Sequence, residues 1–142
     1  MQNFKNHGQI VPLYHYGLYL LVALILGGSI VNFVHNWRNP HLHFGAILFV
    51  VISLALLLIA WYTRSFALRA QDRAIRAEEN LRHFVLSGKL LDNRLSIRQI
   101  IALRFAPDEE FVALAKKAAD SNMANKDIKL AIINWKEDNY RV

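Results

Sequence analysis

Between Phe44 and Tyr62 the chain runs for 19 residues without a charged side chain, and Ile, Leu, Val, Phe and Ala dominate it. At about 1.5 Å per helical residue, that stretch matches a hydrocarbon core of about 30 Å. The next segment constrains the fold more. Thr63 to Leu86 holds no proline or glycine, yet carries Arg64, Arg69, Arg73, Arg76 and Arg82. Nothing marks a break between the halves. Leu42 to Leu86 therefore reads as one helix that leaves a membrane and continues into water, roughly 65 to 70 Å long. The rest of the chain should pair with its first half or fold against its second.

A first span is expected from about Tyr16 to Val34, opened by Tyr14, Tyr16 and Tyr19 at the headgroup level. Ala23, Gly27 and Gly28, with Ser29, form a small-residue stripe that would let the second span approach closely, or a second copy of the chain. His35 to His41 (HNWRNPH) is a tight link with Pro40 opening the next helix. So short a link makes the spans antiparallel neighbours and places both termini on one side. Residues 1–62 contain only Lys5 and Arg38 and no acid, whereas fifteen Lys and Arg come after Tyr62. The positive-inside rule then puts both termini in the cytoplasm, with the basic collar Arg64, Arg69, Arg73 and Arg76 against anionic lipid headgroups at about 1 kcal/mol per residue. The N-terminal stretch has one lysine and no small-x-small cleavage site, so it reads as retained rather than as a signal peptide.

The expected organisation is an interfacial segment over 1–15, a transmembrane hairpin over 16–62 and a cytoplasmic helical domain over 63–142. In that domain Ala67, Ala70, Ala74, Ala77, Leu81 and Phe84 recur at alternating steps of three and four, a heptad-like seam for the chain's own tail or a partner helix. Glu78 and Arg82 stand as an i,i+4 pair. Gly88 should end the long helix. Ser96 with Gln99 forms a capping box, Pro107 precedes three acids suited to a helix start, and Asn125 can cap a last helix. The faces Ile97/Ile100/Ile101/Phe105, Phe111/Leu114/Ala115/Ala118 and Ile128/Ala131/Ile132/Trp135, set against Leu81 and Phe84, should close a small core. The fold class is an all-α membrane protein: a two-helix hairpin, an extended second helix and a small helical C-terminal domain.

Chemistry is sparse. The chain has no cysteine, which excludes disulfides, thiol catalysis and cysteine-ligated metals. His35, His41 and His43 gather at the non-cytoplasmic end of the hairpin, and imidazoles at that spacing suit a metal or a haem iron. The competing reading is interfacial histidines satisfied by water and headgroups, and no cofactor is expected. Asp108, Glu109 and Glu110 lack a matched histidine and serve as helix-start acids. No phosphate loop, nucleophile elbow or zinc-protease motif occurs. The stretch LSIRQIIALRF invites comparison with a helix-turn-helix, but the last helix offers only Lys126, Lys129 and Lys136 on an ordinary amphipathic pattern, which speaks against nucleic acid.

Two stretches, QNFKNHGQIVPLYHY and LRHFVLSGKLLDNRLSIRQIIALRFAPDEEFVALAKKA, with the hairpin between them, carry a resemblance. Across nearly its whole length the chain resembles a family of small bacterial two-span membrane proteins of unknown function. The resemblance implies a bacterial inner-membrane protein with a cytoplasmic helical tail, and no catalytic residue or cofactor. Three classes of function stay open. The first is a non-catalytic membrane-anchored adaptor or accessory subunit whose partners are the bilayer, other membrane subunits or a second copy. The second is a redox or metal protein using the three histidines. The third is a tethered enzyme or DNA-binding module.

Overall fold

A computed structural model describes Phe4, Gly8 and residues 10–138, and these contain helices and no strand. Most of the expected interfacial lead, including Lys5 and His7, and the polar end 139–142 lie outside the described residues. The described chain forms two compact units, one over Ile10–Ala67 and one whose described part is chiefly 68–138.

In the first unit, Pro12 precedes a six-residue π-helical turn, Leu13–Leu18, which leads into α1, Tyr19–His35. Proline is tolerated at such an entry because the first N–H groups of a helix have no intrahelical acceptor. Residues 36–39 make the turn, and α2 begins at Pro40 and runs unbroken to Ser87, 48 residues. Leu13–His35 and α2 are each long and apolar enough to cross a membrane by length and composition. The buried positions of this unit are Val22 and Ser29 on α1, and Ala46, Ser53 and Ala60 on α2. The α2 positions recur every seven residues, and Val22, Leu26, Ser29 and Phe33 step by four and three, which is the spacing of a left-handed helix pair.

Ser29 Oγ and Ser53 Oγ meet at 2.8 Å in the middle of that pair. Each hydroxyl also lies within bonding distance of the carbonyl four residues back, Ile25 O at 2.6 Å and Phe49 O at 2.7 Å. One serine therefore donates to the other, and the acceptor donates to its own helix. Of the small-residue stripe expected on α1, only Ser29 faces α2: Ala23, Gly27 and Gly28 are exposed, and a Cβ added to either glycine would meet nothing within 4 Å. The close approach is supplied instead by Ala46, Ser53 and Ala60 on the second helix, which leaves α1 free to present Val22 and Ser29.

In the second unit, α2 ends on Gly88 at φ 73, whose N–H donates to Phe84 O at 2.8 Å. Helix α3, Ile97–Leu103, starts with the capping box: Ser96 accepts from Gln99 N, and the Gln99 side chain accepts from Ser96 N at 2.7 Å. Helix α4, Asp108–Asp120, comes after Pro107 with all three acids in its first turn. It closes with Asn122 at φ 45 and a Met123 N–H to Ala118 O bond, a Schellman end. Helix α5, Asn125–Ala131, begins after Ala124 with no side-chain cap, so Asn125 is its first residue rather than its cap.

Phe105, Phe111, Ile100, Leu103 and Ile128 are fully buried together, with Ala102, Ala106, Ala115 and Ala118 letting the short helices close in. Ile132 is buried and Trp135 packs on this core, but both lie beyond α5, on a segment with no helix. Trp135 stacks on Phe105 at 4.9 Å. Two anchors hold that segment. Lys136 N donates to Phe105 O at 2.8 Å, and Glu110 accepts from Ile133 N and Asn134 N at 3.0 Å each. An extended strap thus covers the core where a further helical turn was expected.

Candidate functional site

The contribution of α2 to the core is not the expected one. Ile75 is buried in the cluster and Glu79 is 7% exposed, with Asp72, Arg82 and His83 half-buried on the same side. The seam Ala70, Ala74, Ala77, Leu81 and Phe84 is exposed, Leu81 by 64% and Phe84 by 51%. Leu81 and Phe84 therefore do not close the core. A core of phenylalanine and isoleucine needs a projecting aliphatic side chain from α2, and Ile75 supplies one where the alanines cannot. The tail thus covers one face of α2 and leaves the heptad seam open.

Arg82 fastens the covered face. It donates to Glu79 at 3.0 Å, to Asp108 at 2.7 Å and to Ala106 O at 2.7 Å, and lies over the Phe111 ring at 4.3 Å. Its acidic neighbour on α2 is thus Glu79, three residues back, and not Glu78. The reason is positional: Glu79 shares the buried face with Arg82, whereas Glu78 points to solvent. Burial pushes the Glu79 carboxyl above its ordinary range, against the opposing pull of Arg82. No sequence spacing joins Arg82 to Asp108, 26 residues on, although Asp108 at a helix start is a fixed and partly solvated acceptor.

A cleft of about 590 Å³ lies beside this network, lined among others by Ala74, Glu78, Glu79, Arg104, Lys136 and Asp138. Arg104 bridges to Asp138 at 3.0 Å and rests over the Phe105 ring at 4.8 Å. Four acids, Glu78, Glu79, Glu137 and Asp138, and two bases, Arg104 and Lys136, line the cleft. Across α4, hydrogen bonds from the Ile133 and Asn134 backbone hold Glu110 below the usual glutamate range. Glu110 was expected to serve only the helix start, and it also ties down the strap.

The other sequence candidates fall in the first unit or on exposed helix surface. His43 places Nε2 against the Trp37 carbonyl and its ring 5.5 Å from the Trp37 ring, while His35 and His41 are exposed. Among the described residues no group of three or more histidines and acids is arranged to hold a metal ion. Arg64 sits over the Tyr14 ring at 5.8 Å, and the Tyr14 hydroxyl donates to Ala60 O. Arg69, Arg73 and Arg76 are exposed. The Ser29–Ser53 pair was not anticipated. Its trace in the sequence is the seven-residue interval of Ala46, Ser53 and Ala60, together with a lone hydroxyl mid-span in each helix.

A family described as of unknown function, DUF6526, matches over residues 1–142. No curated protein and no solved structure matches the chain.

Proposed function

Since the chain belongs to that family of unknown function, we propose its role from geometry alone: a non-catalytic, membrane-anchored adaptor or accessory subunit of the bacterial inner membrane. The hairpin anchors it, both termini are cytoplasmic, and the helical unit presents one face of α2 to another helix. The observation that carries this reading is the division of α2, with Ile75 and Glu79 covered by the tail while Ala70, Ala74, Ala77, Leu81 and Phe84 stay exposed. Apolar side chains left at a solvated helix surface in such a row are characteristic of an interaction face.

Membrane anchoring has its own support. Only 11% and 17% of the apolar windows in the two long helices are buried, so these are not core helices of a water-soluble domain. Their exposed leucines, isoleucines and phenylalanines need a hydrocarbon solvent. Trp37 stands at one end, Tyr16, Trp61 and Tyr62 at the other, as an interfacial belt requires. Arg64, Arg69 and Arg76 reach anionic headgroups on the cytoplasmic side.

Two measurements test the reading. A cysteine at Asn39 should react with an impermeant thiol reagent from outside, while a reporter fused after Val142 is active only in the cytoplasm. Extraction in mild detergent, then native mass measurement, should find the chain in an assembly larger than one copy. A periplasmic C-terminus refutes the topology, and a strictly monomeric protein in native membranes refutes the adaptor role.

A further inference from the structure

We propose that the open seam of α2 closes on the same seam of a second copy, as a parallel, in-register two-stranded coiled coil over Ala70–Phe84. This deepens the adaptor reading and rests on its membrane orientation. With Ala70 and Ala77 at d, and Ala74 and Leu81 at a, Arg73 falls at g and Glu78 at e. In a parallel pair, a g residue faces the e′ residue five positions on. Arg73 therefore meets Glu78 of the second copy, twice by symmetry. Both side chains are exposed, and among the described residues neither has an ion pair within the chain.

The antiparallel alternative sets g against g′ and e against e′, so it brings together no opposite charges from this set. Copies anchored by the same hairpin also enter the cytoplasm from one face, which makes parallel helices the natural encounter. The chain's own tail packs on b, c and f positions (Ile75, Glu79, Arg82, His83) and reaches g at Asn80, which accepts from Leu91 N. Ala74 and Leu81 border the tail, and the a and d side chains from Ala70 to Phe84 stay exposed. Alanine at three successive a and d positions, Ala70, Ala74 and Ala77, keeps the helices close, and Leu81 and Phe84 fill the distal end.

About two heptads are too few to hold free peptides together, because helix nucleation and association both oppose them. Neither cost applies in full to this chain. Helix α2 is already folded against the tail, and confinement to one membrane raises the effective concentration of the second copy. Arg73, read from sequence as a headgroup contact, is reassigned by this arrangement to Glu78 of the second copy.

The chain has no cysteine of its own, so single cysteines report the geometry cleanly in the full-length protein in native membranes. Ala70→Cys, Ala77→Cys and Phe84→Cys should each form a disulfide-linked dimer under mild oxidation, and Arg76→Cys, at position c, should not. Arg73→Glu and Glu78→Arg should each weaken the dimer on the order of tenfold, since each change sets two like-charge contacts across the axis. The double variant should return to near wild type. Linking of Ala70→Cys to Phe84→Cys with neither self-linking overturns the parallel arrangement. Seam cysteines that link only to a chain of different mass overturn self-association while leaving the adaptor reading standing. A monomer with no adduct at any seam position overturns both.

Discussion

Replacing Arg82 by methionine tests whether the ionic network holds the tail on α2. The substitution keeps most of the aliphatic volume and removes the guanidinium. Glu79, 7% exposed, then loses its cation, and Ala106 O loses a donor. Removing one partner of a buried pair costs about 3–5 kcal/mol. The Asp108 contact adds little, because that carboxylate is 59% exposed and screened by water. The low end, about 3 kcal/mol, is therefore expected, equivalent to a fall of roughly 12–24 °C in the melting midpoint of a unit this size. Glu79→Gln should cost far less, about 1 kcal/mol or below, since Arg82 keeps Asp108 and Ala106 O. The pair Glu79→Leu and Arg82→Met together should lose much less than Arg82→Met alone, because burial already works against the Glu79 charge. Urea unfolding of the full chain in mild detergent, read at Trp135 with Trp37 and Trp61 changed to phenylalanine, measures all three. The Arg82→Met defect should shrink as pH falls, because burial already raises the Glu79 carboxyl and the stranded group takes up a proton more readily. Equal costs for Arg82→Met and Glu79→Gln, with no pH dependence, would refute the argument.

The wild-type unit has its own pH signature. The raised Glu79 contributes stability that is full below the ordinary glutamate value of 4.5 and is lost as pH rises through its folded value. Glu110, lowered, and Asp92, held at about 2 by Arg94, contribute stability that is full above the ordinary carboxylate range and lost as pH falls through their folded values. Stability should therefore peak at mildly acidic pH, and a denaturation midpoint that rises steadily from pH 5 to pH 8 would contradict this. Ala74→Leu should leave the tail as protease-resistant as wild type, because Ala74 is exposed on its own chain; loosening of Trp135 would show that the tail does use the seam. In the hairpin, Ser29→Ala with Ser53→Ala should weaken the helix pair by roughly 0.6–1.7 kcal/mol, read as lost inter-helix crosslinking between cysteines at Val22 and Ala60. Gly27→Ala should have no such effect, given the open space around it.

What the sequence determined by itself was set by neighbours along the chain. The absence of charge over Phe44–Tyr62 and of any breaker up to Leu86 made α2 one helix. Ser96 and Gln99 close a capping box three residues apart, and Gly88 supplies the left-handed residue that ends α2. Each rests on bonds spanning four residues or fewer, so each was legible without knowing the fold. Allocation of faces was not. The seam Ala70/Ala74/Ala77 and the face Ile75/Glu79/Arg82 are both regular on the same helix, and only the shape of the Phe105–Phe111 core selects Ile75. The glycines of α1 promised close packing, yet the serine pair and the small residues of α2 fix which side turns inward. Glu110 reads as a helix-start acid until the strap returns to within 3.0 Å of it, 23 residues later. Trp135 continues the α5 spacing on paper, but once Glu110 holds the Ile133 and Asn134 N–H groups, that backbone cannot also make helical bonds. Contacts of that range depend on where distant segments meet, and only the tertiary structure decides that.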